Sequence, residues 1–165
     1  MGLIKIYTDG ACSGNPGPAG WGVVFTGLLQ ISSLSGYEFY GTNNKMELTA
    51  VVEALRYIAN TAHEIAPGTE IELYSDSAYV INAINEGWIY RWKENDWYKS
   101  NLRKIKNHEL WDRFIKYREN IKEEGLILTF HKVKGHSGDT YNEYVDKIAR
   151  DAINKARAKE AGNGV

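Results

Sequence analysis

The feature that most restricts the fold is a change of hydrophobic period at Lys45. Before it, residues 3–8, 21–26 and 37–40 read as short strands, with Ile4 and Ile6 on one face of the first,. After it, Leu48, Val51, Val52, Leu55, Ile58 and Ala59 recur at helical spacing until Pro67-Gly68 stops the run,. Strand and helix patterns then alternate. A strand is predicted at 71–75, a short helix at 77–85 closed by Gly87, and an aromatic and basic connection at 88–107. An amphipathic helix follows, carrying Leu110, Trp111, Phe114, Ile115 and Ile121. A strand at 126–133, a polar loop at 134–141 and a helix from 142 to about 158 complete the chain. Residues 10–22 form a glycine-rich stretch that includes Pro16 and Pro18.

The resulting order, β-β-β-α-β-α-α-β-α, predicts an α/β fold with a five-stranded mixed sheet. Right-handed strand–helix–strand crossovers make strands 1, 4 and 5 parallel, and strands 1–3 form an antiparallel meander. Helices cover both faces. The expected organisation is one domain over 1–158 with a disordered tail at 159–165.

Composition bounds the chemistry. The 165 residues carry a net charge of -1 and a single cysteine, so an internal disulfide is excluded and a zinc site cannot rest on thiolates,. A protein that held nucleic acid by global charge would be strongly basic, so any such binding must come from local patches or from metal ions. No signal-peptide pattern, acylation motif or membrane-length apolar run is present, and a cytoplasmic monomer is the expectation.

Four acids fall at unusual places. Asp9 follows the first strand and Asp76 the fourth; parallel neighbours would put those strand ends about 5 Å apart, at the edge where open α/β sheets bind ligands. Glu47 and Asp146 sit beside the apolar stripes of their helices. Each acid has a simpler reading alone: a turn former for Asp9, a helix cap for Asp76, a helix-dipole partner for Glu47, an i,i+4 ion pair with Arg150 for Asp146. Together, facing covered surface, they are most economically reconciled by a cation. An all-oxygen donor set favours magnesium (Mg2+) or manganese, and two such ions can clamp the oxygens of a phosphodiester.

The motifs around these acids are Tyr7-Thr8-Asp9-Gly10 through Gly14-Asn15-Pro16-Gly17, Thr42-Asn43-Asn44-Lys45-Met46-Glu47-Leu48, Ser75-Asp76-Ser77, Val133-Lys134-Gly135-His136 and Asn142-Glu143-Tyr144-Val145-Asp146. In this order and spacing they resemble type 1 ribonuclease H, the bacterial ribonuclease HI family, in register from about residue 4 to 152. The resemblance implies endonucleolytic cleavage of the RNA strand of RNA–DNA hybrids, leaving 3′-hydroxyl and 5′-phosphate ends. It implies that Asp9, Glu47, Asp76 and Asp146 hold two magnesium ions, with Asp9 bridging both. It also implies that His136 assists proton transfer or product release; without it, His136 reads as an ordinary loop histidine.

For the hybrid itself, the glycine-rich backbone around Gly10 and Cys12 permits close approach, and Asn15, Thr42, Asn43 and Asn44 offer groups suited to groove and phosphate contacts. Capping or turn formation would explain the same residues. Within 88–107, Arg91, Lys93, Lys99, Arg103, Lys104 and Lys106 outnumber Glu94 and Asp96, and Trp88, Tyr90, Trp92, Trp97 and Tyr98 interleave. The resemblance implies a basic protrusion gripping the DNA strand; packing of the tryptophans is the alternative. Glu94 and Asp96 dilute this patch, and Ala78 stands where the family often has an amide. A transposase or resolvase core, or a catalytically inactive binding module, are the rival readings.

Overall fold

The computed structural model describes residues 2–28, 30–134 and 140–163. Five strands, β1 (Leu3–Cys12), β2 (Gly17–Thr26), β3 (Ser33–Gly41), β4 (Glu70–Ser75) and β5 (Ile127–Lys132), form one sheet in the order β3-β2-β1-β4-β5. β1 pairs antiparallel with β2 and parallel with β4; β2–β3 is antiparallel and β4–β5 parallel. This is the mixed sheet the element order predicts.

Helix α1 (Asn43–Thr61) begins two residues before the change of period, because Thr42 caps it: its hydroxyl accepts from the Lys45 amide at 3.2 Å,. A 3-10 turn (Ala62–Glu64) follows. Helices α2 (Ala78–Asn85), α3 (Trp88–Glu94) and α4 (His108–Glu123) lie between β4 and β5, one more than the two expected. The extra one, α3, occupies the start of the segment read as a plain connection. Gly87, at φ 72°, makes the sharp join between α2 and α3 that a residue with a side chain would resist,. Helix α5 (Thr140–Asn163) is longer than predicted. Residues 159–163, expected to be a tail, are helical, since Lys159, Glu160 and Ala161 are strong helix formers that extend the last packed turn at Ala156,.

Strands β1, β2 and β3 also exceed the prediction, for a reason that matters to the site. Glycines that look like turn residues are packing residues in strands. A β-carbon on Gly20 would come within 2.8 Å of Ala152 Cβ, and one on Gly22 within 2.8 Å of Ile148 Cγ2. Their bare backbone lets α5 lie directly on β2.

Two apolar layers result. On one face, Ile4, Ile6, Val23, Phe25, Ile71 and Leu73 meet Leu48, Leu55 and Ile58 of α1 and Trp111 and Phe114 of α4. Each large side chain fully removed from water there contributes roughly 1.5–3 kcal/mol. On the other face, Tyr7 and Val24 meet Val145, with Tyr74 and Ile148 beside them. No helix among the described residues is long and apolar enough to cross a membrane.

Candidate active site

The parallel register of β1 and β4 aligns Tyr7 with Tyr74. Two residues further along, β1 reaches Asp9 and the chain leaving β4 reaches Asp76, so the two acids stand side by side at the carboxyl edge of the sheet. Glu47 arrives from α1, one turn inside the helix rather than in its first turn. A dipole role fades beyond the first turn, which weakens that simpler reading. Gly10 allows the approach: a β-carbon there would lie 2.5 Å from the Met46 carbonyl carbon.

Single carboxylate oxygens of Asp9, Glu47 and Asp76 lie within 4.8 Å of one another. They share a cavity of about 170 Å³ with Gly10, Asn142, Glu143 and Asp146. Asp146 lines this cavity from α5 but is not one of the three clustered acids. It is 30% exposed, and its Oδ2 accepts from Arg150 Nη2 at 3.0 Å. Three of the four predicted acids thus form one cluster, and the fourth lines the same cavity, within hydrogen-bond reach of Asp9, while keeping the ion pair with Arg150 that its i,i+4 spacing allows.

Burial dominates the electrostatics. Asp9 is 5% exposed, and its pKa is pushed up to about 7, first by desolvation and then by the charges of Asp76 and Asp146, against a hydrogen bond with Glu47,. Glu47 is held well above the usual carboxylate range, again first by desolvation and then by Asp9 and Asp76. The Gly10 amide donates to Asp9 Oδ1 at 2.9 Å. Glu47 Oε2 is buried and without a hydrogen-bond partner. A buried carboxylate oxygen left unpartnered costs about 1–3 kcal/mol or more. Clustered hard oxygen donors with one oxygen unused fit a divalent cation of the magnesium type.

The capping alternatives are realised around this site. Asn15 Oδ1 accepts from the Asn43 amide at 3.1 Å, and Thr42 caps α1 as described. Ser77, not Asp76, caps α2, its hydroxyl accepting from Val80 at 3.2 Å. The Cys12 thiol donates to the Gly41 carbonyl at 3.1 Å, and burial raises its pKa, so it is a neutral packing thiol,. Asn43 and Asn44 are exposed on the same rim.

Farther off, Trp88 packs on Trp92 with ring centroids 6.4 Å apart, and Trp92 on Trp111 at 6.2 Å. These rings anchor α3 to α4. Arg91 and Lys93 remain exposed on α3, with Lys93 Nζ 3.2 Å from Asp112. His136 lies outside the described residues.

Two cavity-lining residues, Asn142 and Glu143, read from sequence only as part of the last motif, with no role of their own; Asn142 is buried. Asn142 stands four residues before Asp146, on the same helix face; that spacing was the available signal.

Comparison with known proteins agrees with this geometry. The RNase H family model matches residues 2–154. Ribonuclease H of Syntrophomonas wolfei subsp. wolfei is 46% identical over 153 residues, which span 93% of this chain and 97% of the relative. Ribonuclease H of Chlorobium luteolum is 45% identical over 152 residues, 92% and 96% of the two chains. Among solved structures, LC9-RNase H1, a type 1 RNase H with the type 2 active-site motif, superposes with a TM-score of 0.74 at 26% identity, covering 94% of this chain and 74% of that one. LC11-RNase H1 in complex with RNA/DNA hybrid gives 0.64 at 28% identity, covering 93% and 98%. With the sheet order, the acidic pocket and these likenesses over nearly the whole length all in agreement, the chain belongs to the ribonuclease H family.

Proposed function

We propose that this chain hydrolyses the RNA strand of RNA–DNA hybrids, leaving 3′-hydroxyl and 5′-phosphate ends. Asp9, Glu47, Asp76 and Asp146 would hold two magnesium ions, with manganese able to substitute. The observation that carries this reading is the unpartnered, buried Glu47 Oε2 in one pocket with Asp9 and Asp76. The solved relative in complex with RNA/DNA hybrid supports the substrate. Bound ions would supply positive charge to the scissile phosphate and to the oxygens that attack and leave.

The chain's own residues do the rest. Asp9, Glu47 and Asp76 present oxygens from three different elements and fix where positive charge can sit. The Gly10 amide orients one Asp9 oxygen. Asp146, lining the same cavity from α5, would complete the set. His136 keeps the role the resemblance implies, assisting proton transfer or product release. Asn15 ties the loop between β1 and β2 to the start of α1, which Thr42 caps, so the backbone at Gly10 and Cys12 and the amides of Asn43 and Asn44 form one surface facing the minor groove. Trp88, Arg91 and Lys93 present the protrusion, residues 88–107 of a catalytic domain spanning 1–158, to the DNA strand. The protein acts as a cytoplasmic monomer.

The test is a magnesium-titrated cleavage assay on labelled hybrid, DNA duplex, RNA duplex and four-way junction. Cleavage of the RNA in the hybrid alone is the expected result. Preference for the junction or for duplex DNA, or no cleavage at any magnesium concentration, would overturn the proposal.

A further inference from the structure

A row of four rings crosses the sheet directly beneath the acids. The in-register parallel pairs Tyr7–Tyr74 and Tyr74–His131 stack across neighbouring strands, with ring centroids 5.2 Å and 5.1 Å apart and planes inclined by 17° and 26°,. Tyr141, in the first turn of α5, stacks on the other side of Tyr7 at 5.1 Å and 20°. The row therefore runs Tyr141–Tyr7–Tyr74–His131, from α5 through β1 and β4 to β5.

Its place is specific. Tyr7 is two residues before Asp9 within β1, so strand alternation puts that ring and acid on the same face, and Tyr74 is two residues before Asp76, which follows the end of β4,. Tyr141 immediately precedes Asn142, which lines the acid cavity, and Asp146 follows about one turn later. Helix α5 otherwise packs over β1, β2 and β3. The Tyr7–Tyr141 stack thus holds the first turn of α5 over the acid end of β1.

We propose that this aromatic row is a positioning element. Tyr141, seated on the Tyr7–Tyr74 stack, sets the depth and rotation of the first turn of α5, and so places Asn142 and Asp146 against Asp9 and Asp76. Tyr141, Tyr7 and Tyr74 act through those residues and not on the substrate. Rings fixed by stacking on parallel strands move less than a lone side chain on a helix end, and small displacements at such a site are costly to rate.

The inference deepens the proposed nuclease reading, and its test separates the two. Wild type, Tyr141→Phe, Tyr141→Leu, Tyr74→Leu and the Tyr74→Leu/Tyr141→Leu double variant are compared in two measurements. One is kcat and KM on labelled hybrid with magnesium; the other is calorimetric titration with manganese alone. Tyr141 is 46% exposed, so Tyr141→Leu retains the fold, and thermal unfolding checks this. Tyr141→Leu is expected to lower kcat about tenfold with KM unchanged, and to weaken manganese binding about tenfold. Tyr141→Phe, which keeps the ring, restores both. The double variant resembles the worse single variant rather than the product of the two, because both act through one row.

Wild-type kcat and manganese affinity in Tyr141→Leu would overturn the proposal, as would a rise in KM alone, which would make Tyr141 a substrate contact. Fully multiplicative losses in the double variant would also overturn it. If the wild type cleaves no hybrid, the nuclease reading fails while the manganese titration still decides the positioning role. Should Tyr74→Leu not fold, the Tyr141→Leu and Tyr141→Phe pair decides alone.

Discussion

Gly10 on β1 lies flush against the start of α1, so close that a β-carbon on it would strike the Glu47 amide nitrogen. This contact sets the separation between the strand carrying Asp9 and the helix carrying Glu47. Gly10→Ala must push α1 outward and open the acid pocket. Overpacking of this kind costs about 1–3 kcal/mol. The expected outcome is a loss of stability in that range by urea unfolding, and at least a tenfold loss of cleavage. Wild-type activity in this variant would mean that Glu47 can shift without consequence.

The burial of two acids makes the metal-free protein sensitive to pH in a definite direction. The folded-state pKa of Asp9, about 7, lies above its ordinary 3.8, and that of Glu47 is raised as well. The fold therefore binds more protons than the unfolded chain in this interval. The stabilisation from both groups is complete below about pH 4 and declines as the pH rises; that from Asp9 is gone above about pH 7, and that from Glu47 is lost as the pH passes its own raised value, at up to about 1.4 kcal/mol per pH unit for each proton,. Urea unfolding in a chelator between pH 5 and 8 should show stability falling, and saturating magnesium should reduce the slope. A metal-free stability that rises steadily over the same range would contradict the assignment.

The same argument sets the behaviour of Asp9→Asn. Removing one charge from the pocket relieves repulsion with Asp76 and Asp146 and leaves an amide that can still accept from Gly10. Above pH 7 and without metal, this variant should be more stable than wild type by about 1–3 kcal/mol, with the gap narrowing toward pH 5. Cleavage should be abolished while hybrid binding stays measurable. Paired thermal melts at pH 5.5 and 8 read the stability, and the hybrid assay reads the rest. Full magnesium-dependent activity in Asp9→Asn would remove it from the site.

Much of this molecule was legible before any coordinates. The change of period at Lys45 and the strand–helix alternation after Pro67 gave the sheet, because hydrophobic spacing reports which face of an element is covered. The acids stood out because each lay where a strand ends or a helix turns inward. Three things were hidden. The packing role of Gly20 and Gly22 did not show, since a sequence does not distinguish a glycine that bends the chain from one that lets a helix come close. Helix α3 was lost among aromatics whose packing partner, Trp111, is distant in sequence. The stacked row of Tyr7, Tyr74, His131 and Tyr141 exists only through strand register, which no local pattern encodes.

The exposed cations of α3 differ in a way that binding should reveal. Lys93 is engaged by Asp112 at 3.2 Å, whereas Arg91 is exposed with its guanidinium always charged,. If α3 faces the DNA strand, Arg91→Ala should weaken binding of a catalytically inactive variant to hybrid and reduce the salt dependence by about one counterion. Lys93→Ala should do less, because the lost cation was already partly neutralised by Asp112. Asp112→Ala should tighten binding by releasing Lys93. Filter binding of Asp9→Asn, alone and with each substitution, from low to moderate salt gives the slopes directly. Equal slopes in all of them would place the hybrid elsewhere and confine α3 to packing.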